Sequence, residues 1–425
     1  MKTLWVAALI AGFVPLTAAA VNGLNLIGYG TESSAMGGAD TAVARDTTAL
    51  NTNPAGLGQT TRPVLDGYLS AAIAVDIGHR DKYGNDSQVD NRVIPMGGLG
   101  LARPAAGGRL VWGLGFFAQG GAGAVYEDLR TPFGTTDELS AQIGIVRLSP
   151  GLAWRVDERL SVGVALPLNV IIAKQRVFPN TSVLDPADPS RSFFGSNLRD
   201  AHGMRLGLRW GLMWKPSADW TYGASFSPRV KLDATDGEVD VNMSAVGLGV
   251  VHYRDARVEG FALPREIALG AAWQATPRTL LSVKLAHLDW SHALQSLTVS
   301  ASEPDNPAAP ATLSQTSAVN WRDQVVVALG LAYRSSDRLT VYAGFNDARN
   351  PTPRETMSPL LAAIGSRHVT GGFALRVADG WVASGALEYQ FSAREAYDNP
   401  HAPLGEGAEE RNSNITVHVM LSRAW

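Results

Sequence analysis

Cysteine is absent from all 425 residues. That excludes disulfides, thiolate metal centres and cysteine nucleophiles. Long apolar runs are absent too, since no stretch approaches the ~20 apolar residues that a membrane-spanning helix needs. The nearest, residues 4–13, follows Lys2 and precedes Ala18-Ala19-Ala20, the pattern of a cleaved export signal. Residues 1–20 are therefore expected to be a signal peptide, with a retained helical anchor as the alternative. Charge of one sign is also lacking: 36 Lys and Arg face 39 Asp and Glu, a net charge of −3. A nucleic-acid partner needs a basic surplus to displace counterions, so none is expected. No G-x-S-x-G elbow or H-E-x-x-H helix occurs. Neither catalytic residues nor a cofactor are expected.

What the chain does have is alternation. Met204, Leu206, Leu208, Trp210, Leu212 and Trp214 share one parity, and Arg205, Gly207, Arg209, Gly211 and Met213 share the other. Leu281, Val283 and Leu285 alternate with Ser282, Lys284 and Ala286, and Leu339, Val341, Ala343 and Phe345 with Thr340, Tyr342, Gly344 and Asn346. A helix would space its apolar residues by three and four, not two. These segments run to about 10 residues or more, whereas soluble strands average about 5–6. Aromatics gather near segment ends: Trp210, Trp214 and Trp220, then Trp321 and Tyr333, then Trp381, Tyr389 and Phe391. Strand length and aromatic placement suit a transmembrane β-barrel with interfacial girdles better than a soluble sandwich or lipocalin-like barrel.

Fourteen antiparallel strands are expected between residues 64 and 424, an even number as single-chain bacterial barrels require. Tight turns at 156–159, 335–338 and 378–380 are expected at one end, and polar loops at 176–202, 234–256, 300–320, 347–366 and 393–411 at the other. The periodicity fades around 121–140 and 234–260. The final residues, Ile415, Val417, Val419, Leu421 and Trp425, hold one parity to the terminal aromatic. The chain thus stops on an aromatic in strand phase, as many outer-membrane barrels do.

Residues 21–62 do not alternate. They are rich in small residues and cannot form a core alone, but a wide barrel could hold them as a hatch, leaving residues 63–425 for the wall. Three local candidates read more simply as solvated loops or strand ends: His287, Asp289 and His292; Asp233, Asp236, Glu238 and Asp240, whose spacing fails the calcium-loop pattern; and Gly97-Gly98-Leu99-Gly100, which lacks the setting of a nucleotide site. No metal site is expected.

The hatch region carries an ordered set of short motifs: Glu32-Ser33-Ser34, Met36-Gly37-Gly38-Ala39, Asp46, and Asn53-Pro54-Ala55-Gly56-Leu57. Later come Leu263-Pro264, Asp289-Trp290-Ser291, Asn320-Trp321-Arg322-Asp323, Gly344-Phe345-Asn346 and Asn350-Pro351-Thr352-Pro353. In this the chain resembles the FadL/TodX outer-membrane transporters of long-chain fatty acids and hydrocarbons. The resemblance implies a fourteen-stranded barrel plugged by an N-terminal hatch, embedded among outer-membrane lipid and lipopolysaccharide, with Trp425 read by the barrel-assembly machinery. It implies a hydrophobic ligand that enters an extracellular groove, reaches a pocket beside the hatch and leaves sideways through a kinked third strand. Gly120, Gly121 and Gly123 are the candidate kink, since glycine clusters in strands mark bends. Asn53, Pro54, Ala55 and Gly56 form the hatch turn. Leu24, Leu26 and Ile27 are candidate ligand contacts, although the opening Asn22-Gly23-Leu24-Asn25-Leu26 departs from the family's usual G-F-x-L. A general diffusion porin or a surface adhesin on the same barrel is the alternative.

Overall fold

Fourteen strands follow one another around a closed wall, each antiparallel to the next. The computed structural model describes residues 22–188 and 191–425, so the expected signal peptide lies outside the described residues. The first four strands are β1 (Val64–Ala74), β2 (Val93–Pro104), β3 (Leu110–Arg130) and β4 (Thr136–Arg155). Interrupted strands come next: β5 (Leu160–Ala165 and Leu168–Val183), β6 (Phe193–Leu206 and Arg209–Trp214) and β7 (Trp220–Ser227, Val230–Lys231 and Ala234–Asn242). The pattern continues with β8 (Val250–Glu259, Ala262–Leu263 and Arg265–Thr276), β9 (Thr279–Asp289 and Ser296–Pro304) and β10 (Thr312–Ala318 and Gln324–Arg334). Then come β11 (Leu339–Ala348), β12 (Arg367–Ala378), β13 (Trp381–Gln390) and β14 (Asn414–Ala424). The last strand closes on the first, from Val64 opposite Ala424 to Ala74 opposite Asn414.

Alternation becomes sidedness. On β6, Trp210, Leu212 and Trp214 are exposed outward while Met213 is buried. On β9, Leu281, Val283 and Leu285 face out while Ser282 and Ala286 are buried. Such an outward apolar surface suits lipid, and closure pairs the first strand with the last, so that neither is left as a free edge. Near the short turns the outer face carries a belt of exposed aromatics, among them Trp112, Trp154, Trp214, Trp220, Trp273, Tyr333 and Trp425. Trp220 stacks on Trp273 at 5.7 Å. Arg423 sits on the apolar parity and lies over the rings of Trp381 and Trp425, at 5.1 and 5.9 Å.

Two expectations need correction. The stretches read as loops at 176–202, 234–256 and 300–320 contain much of the wall, because β5 to β10 continue through them. At roughly 3.4 Å per residue, the 21 residues of β3 and the 20 of β4 outrun an apolar band about 25 Å tall. Beyond the band, the outer face meets water and apolar alternation ends, while the backbone ladder continues. The second correction concerns Trp321. It is not part of an interfacial belt: it is 1% exposed and packs edge-to-face on buried Trp290, with ring centroids 5.0 Å apart.

At the long-loop end, Gly78–Arg80, Asp86–Gln88, Ala393–Tyr397 and Ala408–Asn412 form a separate four-stranded sheet. Its centre is His79, fully buried, with Nδ1 2.6 Å from Glu410 and Nε2 3.1 Å from Asp81. Burial pulls the imidazole pKa down, but hydrogen bonds with Asp81 and Glu410 outweigh it and raise it to about 9. A raised folded-state pKa stabilises the protonated, folded form. The contribution is complete below the unfolded value near 6.5 and lost as pH climbs through about 9. Amide hydrogen exchange across residues 77–90, corrected for intrinsic rates, should accelerate between pH 7 and 10. His79→Gln should abolish that dependence.

Candidate functional site: the N-terminal segment and a break in the wall

The N-terminal segment is folded by its own short polar side chains. A helix at Gly30–Ala35 is held by Ser33, whose Oγ accepts from the Tyr29 N–H and donates to Asp40 at 2.6 Å. Asp46 accepts from the Thr48 N–H. Asn53 accepts from the Ala55 N–H at 3.2 Å, and Pro54 then opens a 3-10 helix at Pro54–Gln59, a position where its missing N–H is no loss. The Asn53 amide also donates to Thr41 O at 2.7 Å and to Leu212 O on β6 at 3.0 Å. One buried side chain thus ties two parts of the segment together and both to the wall.

The segment meets every one of the fourteen strands. Thr47 donates to Asp66 on β1 and lies against Gly100 on β2, while Asn51 reaches Gln119 on β3. Arg147 on β4 donates to Asn51 at 2.9 Å, Ser161 on β5 to Ala55 O, and Arg209 on β6 to Thr52 O. Thr41 and Ala42 press on Gly223 of β7 and Gly270 of β8. Asp40 pairs with Lys284 on β9 at 3.1 Å, and Met36 packs on Gly330 of β10. Asn346 on β11 and Thr370 on β12 donate to Gly37 O and Ala35 O, and Thr31 meets Ser384 on β13 and Met420 on β14. Wall glycines allow this closeness. A Cβ at Gly211 would lie 2.1 Å from the Asn53 carboxamide oxygen, and one at Gly163 would lie 2.4 Å from the Ala55 nitrogen.

The wall itself is interrupted between β2 and β3. Their pairing runs from Pro104 opposite Val111 to Gly98 opposite Phe117. Beyond that, Val93–Gly97 keep their partners on β1, and β3 continues along β4 with a register shift between Ala118 and Gly120. Contact resumes higher up, where Asp90 donates to Val125 O at 2.8 Å and Asn91 accepts from the Val125 N–H at 3.0 Å. Between these limits, among the described residues, β2 and β3 share no paired residues. Pro95 lies in this stretch of β2 and has no N–H to offer. On the β3 side, Gly120 and Gly121 take φ values of 153° and 154°.

The N-terminal residues fill that interruption. Asn25 bridges to Gly120, and the Gly121 N–H donates to Leu24 O at 3.0 Å. Tyr29 donates through its hydroxyl to Gln119 O at 3.0 Å. Leu26 packs on Ala72, Ile94, Met96 and Ala118 beside the break. Leu24 enters a larger apolar cluster formed by inward residues of β4 to β10, including Ile145, Ile171, Phe261 and Trp290. A small cavity beneath that cluster is lined by Asn25, Gln119, Arg147, Arg209, Leu263 and Glu266. Arg209 is paired with Glu266 at 2.7 Å.

Of the residues singled out in sequence, Leu24 and Leu26 therefore meet Gly120 and Gly121 at one place. Ile27 instead lies over the Gly37-Gly38 turn, and Gly123 sits in regular pairing with Gln142. The Asn53–Gly56 turn is elsewhere, against β5 and β6, and the neighbouring Asn51 reaches towards the break through Gln119. His287 and His292 pair with separate partners, Asp323 and Asp289, on the outer surface. Sequence reading passed over Arg147, Asp66 and Glu266. Their one available signal was a charge at an inward position of an alternating segment.

The family model for outer membrane protein transport protein (OMPP1/FadL/TodX) matches residues 7–380. Among solved structures, the Pseudomonas putida toluene transporter TodX is 19% identical with a TM-score of 0.78, covering 94% of this chain and 99% of its own. The Ralstonia pickettii toluene transporter TbuX is 20% identical with a TM-score of 0.74 and the same coverage. A Pseudomonas aeruginosa FadL homologue is 15% identical with a TM-score of 0.72, covering 95% of this chain and 99% of its own. No curated protein matches the sequence.

Proposed function

Because the chain belongs to the OMPP1/FadL/TodX family of outer membrane transport proteins, we propose that it is a passive outer-membrane transporter for fatty acids or hydrocarbons. Residues 1–20 direct export and are removed, residues 21–62 act as the hatch, and residues 63–425 form the barrel among lipid and lipopolysaccharide. Trp425 presents the chain to the assembly machinery. The observation that carries this reading is the interruption between β2 and β3, filled by Leu24, Asn25 and Leu26. Ligand descends through the apolar cluster of β4 to β10, reaches Leu24, and leaves sideways when the N-terminal turn withdraws. A lateral exit keeps an apolar molecule out of water for the whole passage. An open porin needs a water-filled lumen, and a segment touching every strand argues against one. The hydrocarbon transport named for TodX and TbuX supports the same class of cargo here.

The test is uptake by cells that lack other such transporters and carry this gene. Each added methylene buries about 0.8 kcal/mol, so saturable uptake should tighten about fourfold per carbon until the pocket is full. Uptake of sugars at the same rate as apolar solutes would refute the proposal.

A further inference from the structure

Three motifs that the transport reading does not use are brought together by the fold. Leu263-Pro264-Arg265 on β8, Asp289-Trp290-Ser291 at the middle of β9 and Asn320-Trp321-Arg322-Asp323 at the middle of β10 lie side by side. Arg265 pairs with Asp289 at 2.8 Å, and the Ser291 N–H donates to Asp323 at 3.0 Å. The Trp321 N–H donates to Leu294 O at 3.0 Å. These outer ties position two indoles on the inner face, 0% and 1% exposed, within the same apolar cluster as Leu24, Phe261 and Leu263.

Among the described residues, neither indole Nε1–H has an acceptor. Indole nitrogen is a donor only, and buried tryptophans ordinarily find a partner for it. Leaving one such donor unmade is costly, and here there are two in adjacent rings. What covers Trp290 is Gly23, at a φ of +70°, where a Cβ would come within 2.7 Å of Nε1. Gly23 lies in a turn closed by two long backbone bonds between Asn22 and Asn25, of 3.2 and 3.3 Å. The Trp290 donor is thus hidden by a thin piece of backbone, the same piece that fills the wall break.

We propose that Trp290 and Trp321 form a recognition site for the uncharged oxygen of a hydrophobic ligand: a ketone, ester or ether carried on an apolar body. The ligand displaces the Asn22–Asn25 turn, its chain lies among Phe261, Leu263 and Leu294, and its oxygen accepts from the indoles. Of the cations in the cavity beneath, Arg209 is already paired with Glu266 and Arg147 already donates to Asn51 and Asn169, so a carboxylate among the indoles would compete for engaged partners, which is costly. The inference rests on the transport reading and extends its cargo to neutral oxygen-bearing molecules.

The test compares binding of radiolabelled 2-undecanone, undecane and undecanoate to the full-length barrel in lipid nanodiscs, with empty nanodiscs subtracted. After correction for partition, the ketone should bind roughly fivefold tighter than the alkane for each indole engaged. Trp290→Phe and Trp321→Phe keep an aromatic ring and remove the N–H. Each should erase its share of the preference and leave undecane binding nearly unchanged. Equal binding of ketone and alkane, a preference untouched by both substitutions, or a stronger indole-dependent preference for undecanoate overturns the inference while leaving the transport proposal standing. Failure of all three probes to bind overturns both. Should either variant misfold by heat-modifiable gel mobility, the wild-type indole resonances decide. The ketone, and not undecane, should move the ¹H–¹⁵N signals of Trp290 and Trp321, and unmoved signals refute the site.

Discussion

Gly120→Val should nearly abolish uptake of apolar solutes while leaving the barrel folded. A Cβ at this position would lie 2.0 Å from Leu24 O, the oxygen that accepts from the Gly121 N–H. Valine also resists the φ of 153° that position 120 adopts. The strand would have to move away from Leu24 or rotate back into a regular ladder. Rotation would carry Ala118 to Ala122 towards Val93–Gly97 and close the interruption. Gly121→Val should act likewise, because its Cβ would meet Ile143 O at 2.1 Å. Gly123→Val, in regular pairing with Gln142, should be mild by comparison. The measurement is initial uptake rate per folded barrel, with heat-modifiable mobility reporting folding. Normal uptake by folded Gly120→Val protein would mean that ligand does not pass between β2 and β3.

Deletion of residues 22–60 should raise single-channel conductance from near the noise to that of an open pore. An eight-stranded barrel is filled by its own side chains, whereas fourteen strands enclose a lumen that needs other filling. In the lower half that filling is the N-terminal segment, and the wall facing it is polar: Asp66, Arg147, Arg209, Ser282 and Lys284 would become hydrated. Higher up, the apolar cluster of β4 to β10 would resist wetting, but the opposite wall carries buried Asn346, His368, Glu388, Asn414 and His418. Water therefore has a continuous polar route along β11 to β14. Planar-bilayer recordings on intact and shortened protein measure this directly. High conductance in the intact chain, or none in a folded deletion, would rule out a plugging role for the segment.

Much of the fold was legible because a lipid-facing wall imposes one rule at every second residue. Trp210, Leu212 and Trp214, or Leu281, Val283 and Leu285, announce strand, length and lipid face together, since an outward polar residue there would meet hydrocarbon. Where lipid stops, the rule stops. The upper reaches of β5 to β10 therefore read as loops, and Trp321 reads as a belt residue, although backbone pairing continues and Trp321 faces inward. The turn at Asn53-Pro54 was legible, because an Asx turn followed by proline is local chemistry between neighbours. Its seat was not, because Gly163 and Gly211 are distant in sequence and meet Asn53 only when the wall closes. The same holds for the break: the glycines at 120 and 121 signal a bend, but which residues fill it depends on the chain's own first turn folding back some hundred residues away. Local alternation and turn chemistry determined the barrel and the existence of an internal segment. Only tertiary closure decided that Leu24 meets Gly121, that Arg147 meets Asn51, and that two tryptophans thirty-one positions apart share one buried face, because such contacts depend on strand order and register around a ring.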